Sequence, residues 1–210
     1  MNCILCNSGL SHILHIEKEH RFYDCSNCGS IIRDKDTFPD SNFEKERYEI
    51  HQNDVNDLRY QKFVSPITQA VQNDFLPQGT LGLDFGAGTG PVITKVLSDK
   101  GYNLNLYDPF FHPDKSVLNQ NYDYIVCCEV IEHFHKPHQE FQLLKSLLKP
   151  GGKLYCMTDI FREHLDFGSW YYKNDPTHVI FYTEKSLQWI QKQIGFNTIH
   201  IENRLIVFEN

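Results

Sequence analysis

Two pairs of cysteines near the N-terminus have the types and spacing of metal ligands. Cys3 and Cys6 form one C-x-x-C pair, and Cys25 and Cys28 form a second. Four thiolates satisfy the tetrahedral coordination of Zn²⁺ and leave no open position for a substrate. The four cysteines therefore predict a structural zinc site, not a catalytic one.

The chain around these cysteines predicts a small ribbon over residues 1–38. A segment of about 40 residues cannot build an adequate hydrophobic core, and a metal ion compensates for that deficit. The intervening HILHIEKEHRFYDC alternates in hydrophobicity, which favours a pair of strands. Gly9 and Gly29 follow the two cysteine pairs and suit the tight turns that let backbone amides face sulfur.

A second chemical pattern is the glycine-rich run LGLDFGAGTGP. Gly86, Gly88 and Gly90 allow a sharp turn and a close approach of the backbone to a ligand. Pro91 stands where a dinucleotide-binding loop would need glycine or alanine. Asp84 precedes the first glycine, and its negative charge suits a cationic ligand better than a pyrophosphate. The amino group and sulfonium of S-adenosylmethionine fit that requirement.

A second acid follows the next predicted strand. YNLNLYDP ends in Asp108, where a carboxylate can accept hydrogen bonds from both hydroxyls of a ribose. The alternatives are local: Asp84 could cap the turn that follows it, and Asp108 could initiate the Asp-Pro turn. The occurrence of both acids and the glycine loop in this order favours cofactor binding.

The elements that must position these residues alternate along the chain. YDYIVCCEVIEHF predicts a third strand, HKPHQEFQLLKSLL an amphipathic helix, and LKPGGKLYCMTD a turn with a further strand. Residues 196–209 predict a hairpin around Asn203 and Arg204. This alternation predicts an α/β fold with a mostly parallel sheet and an antiparallel C-terminal hairpin.

In order, LDFGAGTG, LYDP, YDYIVCCEVIEHF and LLKPGGKLYC resemble the motifs of class I S-adenosylmethionine-dependent methyltransferases, which have a Rossmann-like sheet. The resemblance covers roughly residues 60–210, and the chain is similar to bacterial methyltransferase-domain proteins and to quinone-biosynthesis O-methyltransferases. It implies a cofactor site made of Asp84, Phe85, Gly86, Ala87, Gly88, Gly90, Tyr107, Asp108, Pro109, Cys128 and Glu129. The chain between Asp108 and Tyr122 is short, so the usual helix and adenine-contacting strand must be abbreviated.

Transfer of a methyl group to a hydroxyl requires a base or a metal ion to remove the proton. The run from Glu129 through Glu132 to His133 resembles the metal site of small-RNA 2′-O-methyltransferases and of quinone-ring O-methyltransferases. With His178, it predicts a divalent-cation site beside the acceptor. The alternative is that Glu132 and His133 cap and orient a turn. Without a metal ion, His133 or His178 is the expected general base, with Glu129 beside them.

A segment after the fourth strand predicts the acceptor wall. Trp170, Tyr171 and Tyr172 could face a planar acceptor, or they could pack the segment onto the sheet. Cys127, Cys128 and Cys156 lie in or beside strands and are expected to be buried thiols.

Length and composition limit the function classes. The formal net charge of −7 argues against binding of nucleic acid through phosphate neutralisation, although it does not exclude RNA. No membrane span or signal peptide is evident, so we expect a reducing, cytoplasmic setting.

The expected domains are a ribbon (1–38), a linker with an N-terminal helical segment (39–62) and a methyltransferase domain (63–210). The leading hypothesis is methylation of a small molecule on oxygen; the alternatives are an RNA methyltransferase and a non-catalytic binding module.

Overall fold

The structure is a computed structural model that describes residues 1–50 and 54–210. The predicted helical stretch that includes residues 51–53 lies partly outside the described residues. Within the described residues, ten strands form two sheets. The strands are β1 (Ile13–Glu17), β2 (His20–Asp24), β3 (Ile31–Arg33), β4 (Leu81–Phe85), β5 (Asn103–Tyr107), β6 (Tyr122–Cys128), β7 (Leu148–Met157), β8 (Ile180–Phe181), β9 (Thr198–Glu202) and β10 (Leu205–Glu209).

The larger sheet has the strand order β5-β4-β6-β7-β10-β9. Its first four strands are parallel, because β4 pairs in parallel with β5 and β6, and β6 pairs in parallel with β7. Strands β9 and β10 form the predicted hairpin, which adds to β7 in the antiparallel direction. The prediction of a mostly parallel Rossmann-like sheet with a C-terminal hairpin is confirmed.

The predicted abbreviation after β5 is also visible. Between Asp108 and Tyr122 the chain forms an isolated bridge from Asp108 to His112 and a short 3-10 helix at Lys115–Asn119. Strand β5 is therefore the edge of the sheet. The place of a further strand and helix is taken by a loop.

In the part of the chain that the structure describes, six α-helices accompany the strands: α1 (Ser41–Ile50), α2 (Leu58–Phe63), α3 (Ser65–Asp74), α4 (Val92–Ser98), α5 (Pro137–Ser146) and α6 (Glu184–Ile190). Helix α1 begins inside the stretch predicted as linker, because Asp40 accepts hydrogen bonds from the amides of Asn42 and Phe43 and so caps the first turn. The chain around Phe63 forms two successive helices, α2 and α3. Pro66 in the first turn of α3 has no amide to continue the ladder of α2.

The N-terminal ribbon is not separate from the larger sheet. Its antiparallel strands β1, β2 and β3 extend to β8, which belongs to the C-terminal half of the chain. One hydrophobic cluster contains Cys3, Cys25 and Cys28 together with Leu83 and Phe85 of β4. Within residues 1–50 and 54–210, no helix has the length and apolar character to cross a membrane.

Candidate active site

A cavity of about 950 Å³ opens at the carboxyl ends of β4, β5 and β6. Parallel α/β sheets bind their ligands at the carboxyl ends of the strands, where the loops that follow the strands converge. Each residue of the predicted cofactor set lines the cavity: Asp84, Phe85, Gly86, Ala87, Gly88, Gly90, Tyr107, Asp108, Pro109, Cys128 and Glu129. Their ligand-binding role remains a prediction, and their convergence is a property of the fold.

The glycine loop needs glycine at two positions for different reasons. Gly86 has a φ of 81°, and a Cβ atom there would lie 2.4 Å from Cγ2 of Val130. Gly88 has a φ of 62°, but a Cβ atom there would meet no other heavy atom within 4 Å. Gly86 is therefore required by packing and conformation, and Gly88 leaves open space above the loop.

Asp84 lies at the end of β4 and is buried against helix α4. Its Oδ2 accepts a hydrogen bond from the Thr94 hydroxyl at 2.7 Å. Burial raises the pKa of Asp84 to about 6, because the side-chain hydrogen bond from Thr94 does not offset the loss of solvent. This carboxylate would gain from a positively charged ligand group in the cavity.

Asp108 organises the loop after β5. Its Oδ1 accepts hydrogen bonds from the amides of Phe110 and Phe111, so the side chain does initiate the Asp-Pro turn. Its Oδ2 accepts a hydrogen bond from the amide of Gly88 at 3.0 Å and thereby joins the glycine loop to the loop after β5. A carboxylate has about four acceptor positions, so the turn and a ribose contact are compatible.

Glu129 sits at the centre of the cavity in an unusual backbone conformation, with a φ of 53°. Both of its carboxylate oxygens lie 2.7 Å from Nη2 of Arg204. Burial and the nearby Glu132 raise the pKa of Glu129 to about 7. Arg204 also lies over the rings of Phe63 and Tyr172, at 5.5 and 5.4 Å.

Arg204 is a residue that sequence reasoning missed. It stands in the turn between β9 and β10, where the pattern predicted a hairpin and no role in the site. The pairing of β10 with β7 brings this turn beside the end of β6. The available signal was a single basic residue in a terminal turn, which has no specificity without the strand order.

Glu132, His133 and His178 form a second group in the site. One side-chain atom from each, a ring nitrogen or a carboxylate oxygen, lies within 4.8 Å of the others. Glu129 is not part of this set: its carboxylate pairs with Arg204, and its Oε2 lies 3.2 Å from the Tyr172 hydroxyl that also contacts Glu132. The structure thus brings together three of the four residues that the sequence suggested as metal ligands.

Hydrogen bonds to backbone carbonyls fix the two imidazoles. Nδ1 of His133 lies 3.0 Å from the carbonyl oxygen of Thr177, and Nδ1 of His178 lies 2.8 Å from that of Tyr172. A carbonyl only accepts, so both Nδ1 atoms carry protons and both Nε2 atoms present lone pairs. Burial lowers the pKa of His133, and burial with the neighbouring His133 lowers that of His178 to about 3.

Glu132 is fully buried behind these imidazoles. Its Oε1 accepts a hydrogen bond from the Tyr172 hydroxyl and lies 4.0 Å from Nε2 of His178. Its Oε2 is buried and has no hydrogen-bond partner among the described residues. Burial raises the pKa of Glu132 to about 7. A buried carboxylate with one unpaired oxygen and two neighbouring imidazoles, with ligand atoms within 4.8 Å of one another, is a donor set that a divalent cation would satisfy.

The aromatic residues of the predicted acceptor wall divide between two roles. Trp170 is 7% exposed, packs with Phe167 and Phe181, and does not line the cavity, which favours packing for this residue. Tyr172 lines the cavity and bonds Glu132, and Tyr171 lines it while remaining 61% exposed. A substrate contact remains a prediction for these two tyrosines.

Helix α1 covers part of the cavity with side chains to which the sequence analysis assigned no role. Glu44 accepts a hydrogen bond from Nε2 of His135 at 3.1 Å, and Arg47 pairs with Asp175 at 3.1 Å. Tyr48 packs edge-on against His133, with ring centroids 5.4 Å apart. Only the packing of α1 shows that these side chains line the cavity.

The four ribbon cysteines converge as predicted. Sγ of Cys3 lies 3.6 Å from that of Cys28, and Sγ of Cys6 lies 3.4 Å from that of Cys25, close to the spacing of about 3.8 Å expected around tetrahedral zinc. The two turns are alike, since the amides of Asn7 and Gly29 donate to the carbonyls of Cys3 and Cys25.

The prediction that Gly9 makes the first of these turns is wrong. Asn7 has the left-handed φ of 60°, and Gly9 does not have a positive φ. Asparagine tolerates this conformation, so it occupies the position that Gly29 holds in the second turn.

The other cysteines are buried as expected. Cys127 and Cys156 are fully buried in β6 and β7, and Cys128 is partly buried at the edge of the cavity. Burial raises the pKa of the Cys128 thiol well above its ordinary value, which keeps it protonated.

Known proteins place this fold. Residues 57–201 match a family described as a methyltransferase domain. Among solved structures, 1,6-didemethyltoxoflavin-N1-methyltransferase from Burkholderia thailandensis, with bound 1,6-didemethyltoxoflavin and S-adenosylhomocysteine, has a TM-score of 0.56 and 12% identity over 95% of this chain and 99% of that one. No curated protein matches the sequence.

Two further structures share the fold over part of their length. Human N-acetylserotonin methyltransferase in complex with SAM has a TM-score of 0.52 and 13% identity, covering 72% of this chain and 53% of that one. An O-methyltransferase family protein from Burkholderia thailandensis has a TM-score of 0.51 and 12% identity, covering 79% and 61%. The chain thus spans little more than half the length of these two proteins. With the family match over residues 57–201 and the class I sheet, this chain belongs to the methyltransferase-domain family.

Proposed function

We propose that the protein transfers a methyl group from S-adenosylmethionine to an oxygen atom of a small, planar acceptor. The observation that carries the proposal is the single cavity that joins the glycine and acid loops to the imidazoles of His133 and His178. Similar folds that hold S-adenosylhomocysteine or SAM support the choice of cofactor.

The residues at the cofactor end fit this molecule. Asp84 is buried with a raised pKa, so a cationic amino group would compensate its charge. Gly88 leaves open space above its loop, and Asp108 retains acceptor capacity for ribose hydroxyls. The cofactor supplies an electrophilic methyl group: the oxygen–carbon bond forms as the sulfur–carbon bond breaks, in line with it.

The acceptor end can take up the proton that the hydroxyl must lose. His133 and His178 are neutral and present Nε2 lone pairs, because their Nδ1 protons are held by carbonyl oxygens. The lowered pKa of His178 makes it a weak base, so His133 is the preferred proton acceptor. Glu129 stands between the two ends and, with Arg204, would orient the reacting groups.

Glu132, His133 and His178 would also hold a divalent cation, such as Mg²⁺, Mn²⁺ or Zn²⁺. One carboxylate oxygen of Glu132 and one ring nitrogen from each histidine form a suitable donor set. The Nδ1 contacts to backbone carbonyls are the outer hydrogen bonds that metal-binding imidazoles usually make. A cation there would supply Lewis-acid polarisation of the acceptor hydroxyl. Activity that survives complete chelation would exclude this cation.

We assign a structural zinc ion to the ribbon and retain the three-part division into residues 1–38, 39–62 and 63–210. The convergence of the four thiols supports the zinc, and the shared core with β4 supports a fixed seat for the ribbon. We also retain the expectation of a reducing, cytoplasmic compartment, in which free thiolates bind metal in preference to forming disulfides.

The test combines binding with a panel of acceptors. Calorimetry should show binding of S-adenosylhomocysteine, and mass spectrometry should show one added methyl group on a hydroxyl of mono- or dihydroxylated aromatic acceptors. Methylation confined to nitrogen or carbon would overturn the choice of oxygen. Absence of S-adenosylhomocysteine binding would overturn the function.

An RNA acceptor is the alternative from the Glu-x-x-Glu-His run. The net charge of −7 disfavours it, as no excess of basic residues is available to neutralise phosphates. A structured-RNA arm in the same panel tests it directly. Tight cofactor binding without turnover on any acceptor would indicate a binding module.

A further inference from the structure

The N-terminal ribbon is joined to the segment that carries His178. Strand β3 pairs with β8, and the amide of Arg33 donates to the carbonyl of Val179. Two side chains near α6 extend this seam, since the Thr183 hydroxyl donates to the carbonyl of Gly29 and Lys185 donates to that of Ser26. The ribbon therefore contacts the chain both before and after strand β8.

Arg33 is the buried charged residue of this seam. Its side chain is buried, with the residue only 2% exposed, and its guanidinium lies 5.4 Å from the ring centroid of Phe22. Nη2 donates to the carbonyl oxygens of Lys173 and Asp175, each at 2.8 Å. Burial of a guanidinium is costly, and the buried Nε of Arg33 has no hydrogen-bond partner among the described residues. The two bonds from Nη2 therefore tie the position of the guanidinium to these two carbonyls.

Arg33 binds the same backbone segment, residues 172–177, that orients the two imidazoles. The carbonyl of Tyr172 accepts the Nδ1 proton of His178, and the carbonyl of Thr177 accepts that of His133. The amide of Val179 donates to the carbonyl of Glu132 at 3.0 Å. All three residues of the acceptor group thus take their orientation from residues 172–179.

A second link from the ribbon reaches the same backbone. The ammonium of Lys173, whose side chain is 2% exposed, bonds Glu17 of β1 and the side-chain oxygen of Asn174. The ribbon thus contacts residues 173–175 through a backbone grip from Arg33 and an ion pair from Glu17.

We propose that Arg33 is a positioning residue for the active site: by holding the carbonyls of Lys173 and Asp175, it keeps the imidazoles of His178 and His133 oriented with their Nε2 atoms toward the cavity. The effect on catalysis rests on the proposed function. The effect on the orientation of the rings does not.

The first test measures the rings without an acceptor. In the full-length, zinc-loaded protein, ¹⁵N-histidine NMR at alkaline pH should show His178 and His133 as Nδ1-protonated tautomers. Arg33→Met should move the His178 nitrogens toward values averaged over both tautomers, and Arg33→Lys, which keeps a donor, should restore part of the wild-type signal. Arg21→Met is the matched control, because Arg21 is an exposed arginine on the neighbouring strand β2.

Zinc content and circular dichroism establish that the variants are folded. If Arg33→Met does not fold, Arg33→Lys decides alone, through a shifted or an unchanged His178 signal. Wild-type His178 signals in the folded variants would overturn the proposal, since a purely structural Arg33 would lower only the midpoint of unfolding.

The second test uses an acceptor that the panel identifies. Arg33→Met should lower kcat by about 10- to 100-fold, as is usual for loss of an outer-shell partner, and leave S-adenosylhomocysteine affinity within about twofold. Equal losses of cofactor affinity and kcat would overturn the positioning role. Failure of the panel leaves the NMR result to stand by itself, so the two proposals fail independently.

Discussion

The two ends of the cavity are built in contrasting ways. At the proposed cofactor end, the lining residues lie in three short runs, 84–90, 107–109 and 128–129, each at the carboxyl end of one of the adjacent parallel strands β4, β5 and β6. At the acceptor end, Glu132 and His133 meet His178 from a distant segment, whose backbone is gripped by Arg33 of the ribbon. The first end is assembled by local turns, and the second by contacts between remote parts of the chain.

This contrast has an energetic consequence. Loops at the ends of paired strands retain their shape as long as the sheet is intact. The acceptor end depends in addition on the ribbon, which has little core of its own and relies on a metal ion and on its contacts with the larger domain. Damage to the ribbon should therefore separate methyl transfer from cofactor binding.

Loss of the ribbon metal should produce the largest effect. In Cys3→Ser combined with Cys25→Ser, we expect zinc content to fall from about one ion per chain to none, because two of four thiolates are lost. When this variant is assayed at low temperature, where it stays folded, methyl transfer should be absent. Its affinity for S-adenosylhomocysteine should differ from that of the wild type by less than about tenfold, or 1.4 kcal/mol. Metal analysis, calorimetry and turnover are the measurements.

Ser26→Ala is the matched control for that variant, because Ser26 is an exposed residue between the second pair of cysteines. It should retain zinc and activity. Full turnover of the double variant without bound metal would contradict the dependence of the acceptor end on the ribbon.

His133→Asn should have the next largest effect. Removal of a general base or of a cation ligand lowers kcat by about 10²- to 10⁴-fold, and the cofactor loops are untouched. S-adenosylhomocysteine affinity should stay within about twofold of the wild type, as measured by calorimetry. His200→Asn, at a 71% exposed side chain on β9, should leave both quantities unchanged. A loss of kcat smaller than threefold would remove His133 from the mechanism.

Asp84→Asn tests the cofactor end, because it should weaken binding of S-adenosylhomocysteine and raise the free energy of unfolding of the ligand-free protein. Loss of the charge should weaken S-adenosylhomocysteine binding by about 100-fold, or about 3 kcal/mol. The folded pKa of about 6 lies above the ordinary 3.8, so ionisation of Asp84 lowers the free energy of unfolding as pH rises through that window. Denaturation of the ligand-free variant should show a gain of about 1–3 kcal/mol at pH 8 and none below pH 4.

Thr94→Val is the companion variant, since it removes only the hydrogen bond to Asp84. It should lose stability and raise the Asp84 pKa further. Equal stability of Asp84→Asn and the wild type at pH 8 would show that the buried charge is compensated within the protein.

Arg204→Met should have the smallest effect and lies at the boundary of the two ends. Without its ion pair, the pKa of Glu129 should rise above about 7, so a smaller fraction is ionised at neutral pH. We expect kcat/KM to fall by about threefold to tenfold near pH 7 and to recover at alkaline pH. Arg59→Met, which removes a 93% exposed side chain, provides the control. A pH–rate profile identical to that of the wild type would show that Glu129 does not need to be charged.

The fold and the convergence of the glycine and acid loops could be predicted because their signals are local, and cofactor binding by these loops stays a prediction. The alternation of strands and helices fixes the direction of the parallel strands, and the glycines and acids immediately follow those strands in the sequence. The C-terminal hairpin and the short loop before Tyr122 were predictable for the same reason. Their residues are neighbours in the chain and in space.

The acceptor end could be predicted only in part. His178 was a candidate by residue type, but Trp170, two residues before the cavity-lining Tyr172, packs instead against Phe167 and Phe181. Residue type does not report which side of a loop faces the cavity. Helix α1 was predicted as linker over its first half, because its sequence is polar and shows little hydrophobic periodicity. Its capping by Asp40 and its packing over the cavity are visible only in the structure.

The sequence by itself determined the parallel sheet, the converging glycine and acid loops and the four thiols, because each depends on residues that are close along the chain. Only the tertiary structure decided that Arg204 pairs with Glu129, that Glu129 leaves the group formed by Glu132, His133 and His178, and that Arg33 grips the backbone beneath them. Those contacts join remote segments, and their pairing follows from the strand order and the burial of charge, which no local pattern encodes.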